Sequence, residues 1–566
     1  QASGTPFTSR EMMEALPFNA DSSLAEDVLE GKDVEGPTLE ATQILRECRK
    51  VIQPDEEELS VEEMKNGFRR WNEKTSTSPS GLHLGMYKCL TEPNEQEEEK
   101  TYLLETITGI VNTAFKAGVT LKRWCKVNNV LIEKDTNNPT LHRLRIIHII
   151  EADYNLATKI LWARRTMPRA EKAKVLADSN WGSRRSRSAQ DTSTVKELHY
   201  DIAHLRLHEY ASMENDAKAC YDRMVPNLIM LISRSFGISR GACRSVGKTF
   251  QRTRHHLTTK NGISKESFGY SNEKPIFGSW QGATKSVVNW VLTSSIIQNI
   301  HQATTEGATF QSTDGEIEVR QSTVGFVDDN NNCVSQLRGQ GSIVEKLKNS
   351  AQKWERLLYA TGGMLELSKC FTYVINWEQD DEGRHKISDK MQAITIQESQ
   401  TGQTKEINQK STGESHKTLG CYKSPAMNMK AQAEDTTKKA EKISQLTCSY
   451  GLSANTSRLA YQSMYLPAVT YPLTSSYMSK RVLNKAQAKA TRRFLRCHGF
   501  NPHMPRIVAY APKLLGGLGM QRMYTTQGVR NMTQMLKHIR AGTTIGKLFR
   551  IAISWLQRWA GIGHCV

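Results

Sequence analysis

The sequence predicts an α+β fold, on three observations. Short β-branched runs bounded by Asn, Asp, Gly and Pro recur in pairs, as antiparallel hairpins require. Stretches with helical apolar spacing separate them. From about residue 430 onward the pattern is helical and basic, interrupted by Pro467, Pro502, Pro505, Pro512 and Gly516-Gly517. With 566 residues the chain can form two to four packed units. At 38% hydrophobic and 24% charged residues it has the composition of a globular protein. No apolar run approaches the roughly 18 residues of a membrane span, so no membrane partner is expected.

Charge is unevenly spread. The net charge is +18, yet residues 1–100 hold 11 Lys+Arg against 22 Asp+Glu. An acidic leader, 1–74, on a basic body suggests a polyanionic partner, most simply nucleic acid. Eleven cysteines show no CxxC pair, which argues against a zinc ribbon or a disulfide framework and for reduced intracellular thiols. Gln1-Ala2-Ser3-Gly4 has neither an initiator Met nor a signal-peptide core, as expected of a fragment or processed piece.

In chain order, residues 1–40 are acidic and aperiodic, and disorder is expected there. Helices follow over about 40–72, with Pro54 and Asp55-Glu56-Glu57-Glu58 opening the second. Thr75-Ser76-Thr77-Ser78-Pro79-Ser80-Gly81 is either a plain connection or a loop offering hydroxyls and N–H groups to a phosphate. After a helix over Tyr102 to Ala117, Val127 to Lys134 and Leu144 to Ile150 read as one hairpin. It carries Lys134 and Arg145, which read alone as surface charges and together as a clamp for a triphosphate. A helix from Asn155 to Arg165 leads to Trp181-Gly182-Ser183-Arg184-Arg185-Ser186-Arg187-Ser188. Its three arginines, Arg184, Arg185 and Arg187, either track a phosphate backbone or belong to a solvated loop.

A helix over Thr192 to Leu207 precedes Asp216 and Asp222, six apart, and Pro226 opens the next helix. Gly278-Ser279-Trp280-Gln281-Gly282 forms a turn before a long apolar helix, Val287 to Ile300. Thr323 to Val327 reads as a buried strand, Asp328-Asp329-Asn330 as a tight turn, and Cys333-Val334 as the returning strand. Alone, that turn reads as an ordinary Asx surface turn; two adjacent carboxylates also suit a divalent cation. A helix from Ile343 to Thr361 follows. Gly362 to Lys369 is expected as a turn and strand ending on a lysine, continued by Phe371, Tyr373 and Ile375. Residues 379–416 are expected to be a loosely ordered polar insert, and Thr418 to Tyr422 a short strand.

Taken in order, these segments resemble the polymerase region of reverse transcriptases, those of non-LTR retrotransposons in particular. Asn215-Asp216 through Tyr221-Asp222 resembles the first catalytic motif, Trp280-Gln281-Gly282 the second, and Phe326-Val327-Asp328-Asp329 the third. Gly362 through Lys369 resembles the fourth, and Thr418-Leu419-Gly420 the primer-gripping element. The resemblance covers roughly residues 75–425. It implies a right-hand polymerase with fingers (75–200), an antiparallel-sheet palm (201–425) and a basic helical thumb and C-terminal region (426–566).

The implied reaction is RNA-templated DNA synthesis from a DNA or RNA primer and dNTPs, with Mg²⁺, or Mn²⁺ in its place, as cofactor. Mg²⁺ takes hard oxygen ligands, and carboxylates bridging two ions supply them. By resemblance Asp216 and Asp328 are metal ligands and Asp329 the adjoining carboxylate. Tyr221 is a sugar gate against the 2′-hydroxyl, Gln281 and Gly282 border the nucleotide, and Lys134 and Arg145 bind its triphosphate. Lys369 protonates the leaving pyrophosphate or is a plain strand-end lysine; Asp222 is expected to cap or pair locally.

Two departures stand out. Ser286 is followed by Val287 where Ser-Pro is usual, and Phe326 replaces a common tyrosine. No upstream endonuclease set, zinc knuckle or ribonuclease H pattern is found. The implied location is intracellular, and nuclear in a eukaryotic host. Two rival readings share the palm carboxylates: an RNA-directed RNA polymerase, which Tyr221 opposes, and a decayed RNA-binding scaffold.

Overall fold

A computed structural model of the chain describes residues 12, 16, 21–92, 97–134, 140, 144–218, 220–271, 275–388 and 390–563. It is mixed α and β, about half helical, with small and mostly antiparallel sheets.

The central sheet has the strand order β11–β3–β10–β9, with β3 at Glu209–Asp216, β9 at Thr323–Phe326, β10 at Asp329–Gln336 and β11 at Phe371–Ile375. All three pairings are antiparallel. One face is covered by the helix Ile343–Ala360, which packs on β10 and β3. Behind it lies the helix Thr284–Thr304, buried nearly all round because it runs through the main core, polar residues such as Asn289, Gln298 and His301 included. The helix Ala189–Arg206 covers β9 and β3 and is opened by a reciprocal capping box between Ser188 and Asp191. Pro226 stands at the first turn of the helix Pro226–Ser235, where its missing N–H costs nothing.

A second sheet joins β1 (Lys126–Glu133), β2 (Leu144–Ile149), β4 (Arg254–Thr259), β5 (Gly262–Ile263) and β6 (Phe268–Gly269), while β7 (Ala308–Gln311) and β8 (Glu318–Gln321) form a separate antiparallel pair. Here β1 and β2 form the expected hairpin, but β1 runs parallel to β4, a long-range pairing that local pattern does not announce. Toward the C-terminus the helices Lys430–Ser449 and Lys480–Cys497 pack on each other with their own apolar cluster. The last helix, Thr544–Trp559, leaves that cluster and packs on Ala189–Arg206.

Four expectations are corrected. Residues 21–40 are ordered: the helix Ser23–Glu30 is capped by Ser22 and docks through the buried residues Ala25, Val28 and Leu29. The rest of that expectation, in 1–20, lies largely outside the described residues. The insert 379–416 is built of hairpins, with Ile394–Gln397 paired to Thr404–Ile407. Its Ile394, Ile396 and Ile407 reach the main core, an Ile-Thr-Ile alternation that the surrounding Gln and Ser obscured. Thr418 to Tyr422 is a hairpin rather than one strand, turning at Leu419 (φ 49°) and Gly420 (φ 82°) between His416–Thr418 and Cys421–Lys423. Lys369 lies on a turn before β11, not at a strand end.

Candidate active site

The register of the central sheet brings the separated carboxylates together. Asp329 is the Cα partner of Asp216, so both project from the same face at one end of neighbouring strands. Side chains so placed have Cβ atoms about 4.5–5.5 Å apart. Because Phe326 pairs with Asp329, Val327 and Asp328 form a two-residue loop, with Asp328 exposed at its tip.

Val327 adopts φ 57°, a left-handed conformation that β-branched side chains resist. Neighbouring elements hold it there. Trp290 of the 284–304 helix donates its Nε1–H to the Val327 carbonyl at 2.6 Å. The segment 179–181 pairs with the hairpin through Gly325 N–H to the Ser179 carbonyl (2.9 Å) and Trp181 N–H to the Gly325 carbonyl (2.8 Å). Gly182 then passes so close that a Cβ would stand 2.4 Å from the Val327 nitrogen, so only glycine fits.

Like charges facing across strands repel, and two lysines offset this. The exposed Lys369 places Nζ 2.9 Å from an Asp216 oxygen. Lys196 is 3% exposed beneath the carboxylates and pairs with Glu214 at 2.7 Å. The Glu366 N–H bonds to the Asp216 carbonyl, and Lys218 N–H to the Met364 carbonyl, each at 2.8 Å. This tie extends β3 and fixes the turn that carries Lys369. The Asp329 carboxyl reaches solvent, yet desolvation by the surrounding protein pushes it up to about 6. Lys196 opposes that rise, and Asp328, Glu214 and Asp216 add to it.

Tyr221 stands beside this site. Burial pushes its phenol up, with Cys220 and Asp328 adding to the shift. Its ring meets Trp290 edge-on at 6.5 Å, so one tryptophan braces both the ring and the loop bearing Asp328. Lys134 and Arg145 are exposed at the end of the β1–β2 hairpin. Arg145 stands opposite Ile132 near the end of the pairing, and Lys134 follows directly after β1, in the bend that leaves it. Lys134 also draws down the Asp222 carboxyl, which burial raises; Asp222 thus faces the hairpin.

Gln281 acts through its backbone: its carbonyl accepts from the His148 N–H at 2.7 Å. Gly282 (φ 116°) crosses β2 so closely that a Cβ would meet the His148 carbonyl at 2.7 Å. The Ser286 hydroxyl bonds to the carbonyls of Ser279 and Trp280, closing the loop although Val287 follows.

The arginine loop differs from expectation. Arg184 is buried and grips Glu171 with two 2.7 Å bonds, while also donating to the Ala177 and Asn180 carbonyls. Arg187 binds Asp178 and lies over the Trp181 ring at 4.6 Å. Both use their donors inside the protein, so of the three only Arg185 is exposed for an outside phosphate. The Thr75–Gly81 loop does bind an anion, but one of its own: Ser80 N–H and Oγ hold the Glu151 carboxylate at 2.8 and 2.9 Å.

Asp216 and Asp328 offer the hard oxygens that Mg²⁺ takes. Among the described residues no group of three or more His, Cys, Asp or Glu side chains forms a metal cage. Mg²⁺ commonly needs only one or two carboxylates besides substrate phosphates, so this donor set fits it. Sequence reasoning missed Lys196, Glu214 and Trp290. A lysine on the Thr/Ser-rich side of a helix and a tryptophan in an apolar helix carry no signal without the sheet they face. The chain matches no protein-family model and no curated protein.

Proposed function

We propose that this protein is a nucleotidyltransferase of the polymerase class. Within that class, the reading best supported is an RNA-directed DNA polymerase of a retrotransposon-like element. The observation that carries it is the juxtaposition of Asp216 with the Asp328-Asp329 loop, across 112 residues of chain, beside Tyr221. On this reading the β1–β2 sheet with its neighbours forms the fingers, the central sheet the palm and the helices after residue 426 the thumb.

Asp216 and Asp328 would hold Mg²⁺, which lowers the pKa of a primer 3′-hydroxyl and neutralises the leaving pyrophosphate. Asp329 keeps the local field negative while its own carboxyl is desolvated. Lys134 and Arg145 would receive the triphosphate from the hairpin, as two exposed cations near its end. Gly282 lets the loop lie flat on β2, leaving room for the nucleotide. Tyr221, braced by Trp290, would present a bulky ring to the sugar and exclude a 2′-hydroxyl. Lys369, now on Asp216, would turn to the pyrophosphate oxygens as a proton donor; its exposed position on a turn permits that movement.

The test is primer extension with labelled dNTP on a primed RNA template in Mg²⁺. Asp328→Ala should lose extension by at least about 1,000-fold while binding the primed template as well as the parent. Undiminished extension by Asp328→Ala would refute the metal assignment, and extension by neither protein would refute the polymerase reading.

A further inference from the structure

The packing of two C-terminal helices brings two cysteines together. Between Lys430–Ser449 and Lys480–Cys497, Lys489 pairs with Glu441 at 2.9 Å. Arg493 donates to the Glu441 carbonyl and to the Ser444 hydroxyl, both at 3.1 Å. The contacts advance along both helices together, so the two run in the same direction. One turn beyond the Arg493–Ser444 contact, on each helix, stand Cys497 and Cys448. The Cys497 Sγ lies 3.9 Å from the Cys448 carbonyl oxygen, and the two thiols are in hydrogen-bond contact. Both are free and half-buried, at the last turns of their helices.

Burial and then the Cys497 thiol push the Cys448 thiol up to about 12, while Arg493 opposes the rise. The partial negative charge of two helix C-termini also disfavours a thiolate, so the pair rests protonated. A substituent on Cys497 changes that, because it removes the neighbouring thiol's share of the rise and leaves Cys448 beside Arg493. The chain between the two cysteines carries contacts to the rest of the molecule. The Tyr471 hydroxyl donates to the Leu419 carbonyl at 2.9 Å, and the Tyr471 carbonyl accepts from the Gln190 amide at 2.8 Å.

We propose that Cys448 and Cys497 are a redox-modification site, forming a reversible intrachain disulfide by exchange with a small disulfide of the glutathione class. The Cys497 thiol gives its proton to solvent, and its sulfur attacks one glutathione sulfur. That S–S bond breaks, and the released glutathione thiolate takes up a proton. Cys448 then loses its proton and attacks the Cys497 sulfur, so the protein S–S bond forms and the second glutathione leaves as a thiol. Two protein thiols are oxidised by two electrons, and one glutathione disulfide is reduced to two thiols. The bond closes the chain from 448 to 497 into a loop long enough to constrain it strongly. It thereby staples the segment through which Tyr471 grips Leu419 and Gln190, whether or not the chain polymerises.

The test is incubation of the full chain with oxidised glutathione, then alkylation of the remaining thiols and tryptic mapping without reductant. The monomer band should yield the peptides 443–458 and 497–506 joined by a disulfide, and dithiothreitol should separate them. Cys448→Ser should stop at a glutathione adduct on Cys497, and Cys497→Ser should leave Cys448 largely unmodified. Amide exchange over 454–475 should slow about tenfold or more in the oxidised parent and in neither variant. Glutathione adducts alone, whether on these cysteines or on the exposed Cys89, would overturn the proposal. So would joined peptides found only in disulfide-linked dimers. Equal modification of Cys448 with and without Cys497 would overturn the order of attack, and unchanged amide exchange would overturn the staple. Unchanged thermal melting of the reduced serine variants confirms their fold.

Discussion

At the residue scale, Tyr221 and the Asp328 loop depend on a single indole. Trp290 donates to the Val327 carbonyl and meets the Tyr221 ring, so the Tyr221 ring and the loop that carries Asp328 share a support. Tyr221→Ala is expected to admit ribonucleotides, raising the rNTP-to-dNTP ratio of kcat/KM at least tenfold in single-nucleotide insertion assays. An unchanged ratio would remove the gate assignment. Trp290→Phe keeps an aromatic ring but loses the indole N–H bond to a strained residue and part of a buried side chain's packing. It should cost about 1–3 kcal/mol in urea unfolding and lower kcat more than it raises KM for dNTP. A rise in KM alone would show that the bond does not position Asp328.

At the element scale, the 284–304 helix begins with an unusual residue. Lys285 is fully buried, and its Nζ lies over the rings of Trp280 (4.6 Å), Tyr154 (5.0 Å) and Phe250 (5.1 Å). Among the described residues its Nζ has no hydrogen-bond acceptor. Burial lowers its pKa to about 7, while the ring faces attract the charged form and limit that shift. Because the folded pKa lies below the unfolded one, between about pH 7 and 10.5 the unfolded chain binds a proton that the folded chain does not. Stability from this group therefore rises with pH across that window and is lost as pH falls through it. Lys285→Met should flatten this part of the stability–pH profile, read as the difference between variant and parent melting from pH 6.5 to 9.5. Parallel profiles would mean that Lys285 keeps its charge throughout.

Across the whole molecule, the charge asymmetry of the sequence has an internal explanation as well as an external one. The acidic leader is docked on the basic body: Glu26 forks onto Arg234 at 2.8 and 3.1 Å, Asp21 meets Arg240 and Arg244, and Glu40 meets Lys353 at 3.0 Å. Part of the positive charge that suggests a polyanion is thus already answered within the chain. In a double-mutant cycle of Glu26→Gln and Arg234→Gln, a coupling of roughly 0.5–1.5 kcal/mol is expected for a half-buried, two-pronged pair. Strict additivity would show the docking to be sustained by the apolar residues Ala25, Val28 and Leu29 alone.

By itself the sequence determined the longer helices, such as Ala189–Arg206, Thr284–Thr304 and Ile343–Ala360, whose apolar spacing is local, though not Ser23–Glu30, and the β1–β2 and Asp328 hairpins, whose strands and turns adjoin. It also singled out Asp216, Asp328 and Asp329 as carboxylates to find together, through the resemblance rather than the turn alone. Only the tertiary structure decided their company. Asp216 meets Asp329 through a register set by 112 residues of intervening packing. The same packing buries Lys196 beneath them and turns Arg184 and Arg187 inward onto Glu171 and Asp178. The physical reason is range. Periodicity and turn chemistry act over a few residues and are written in order along the chain. Ion pairing, desolvation and parallel strand pairing act between groups that are neighbours only after the core has formed.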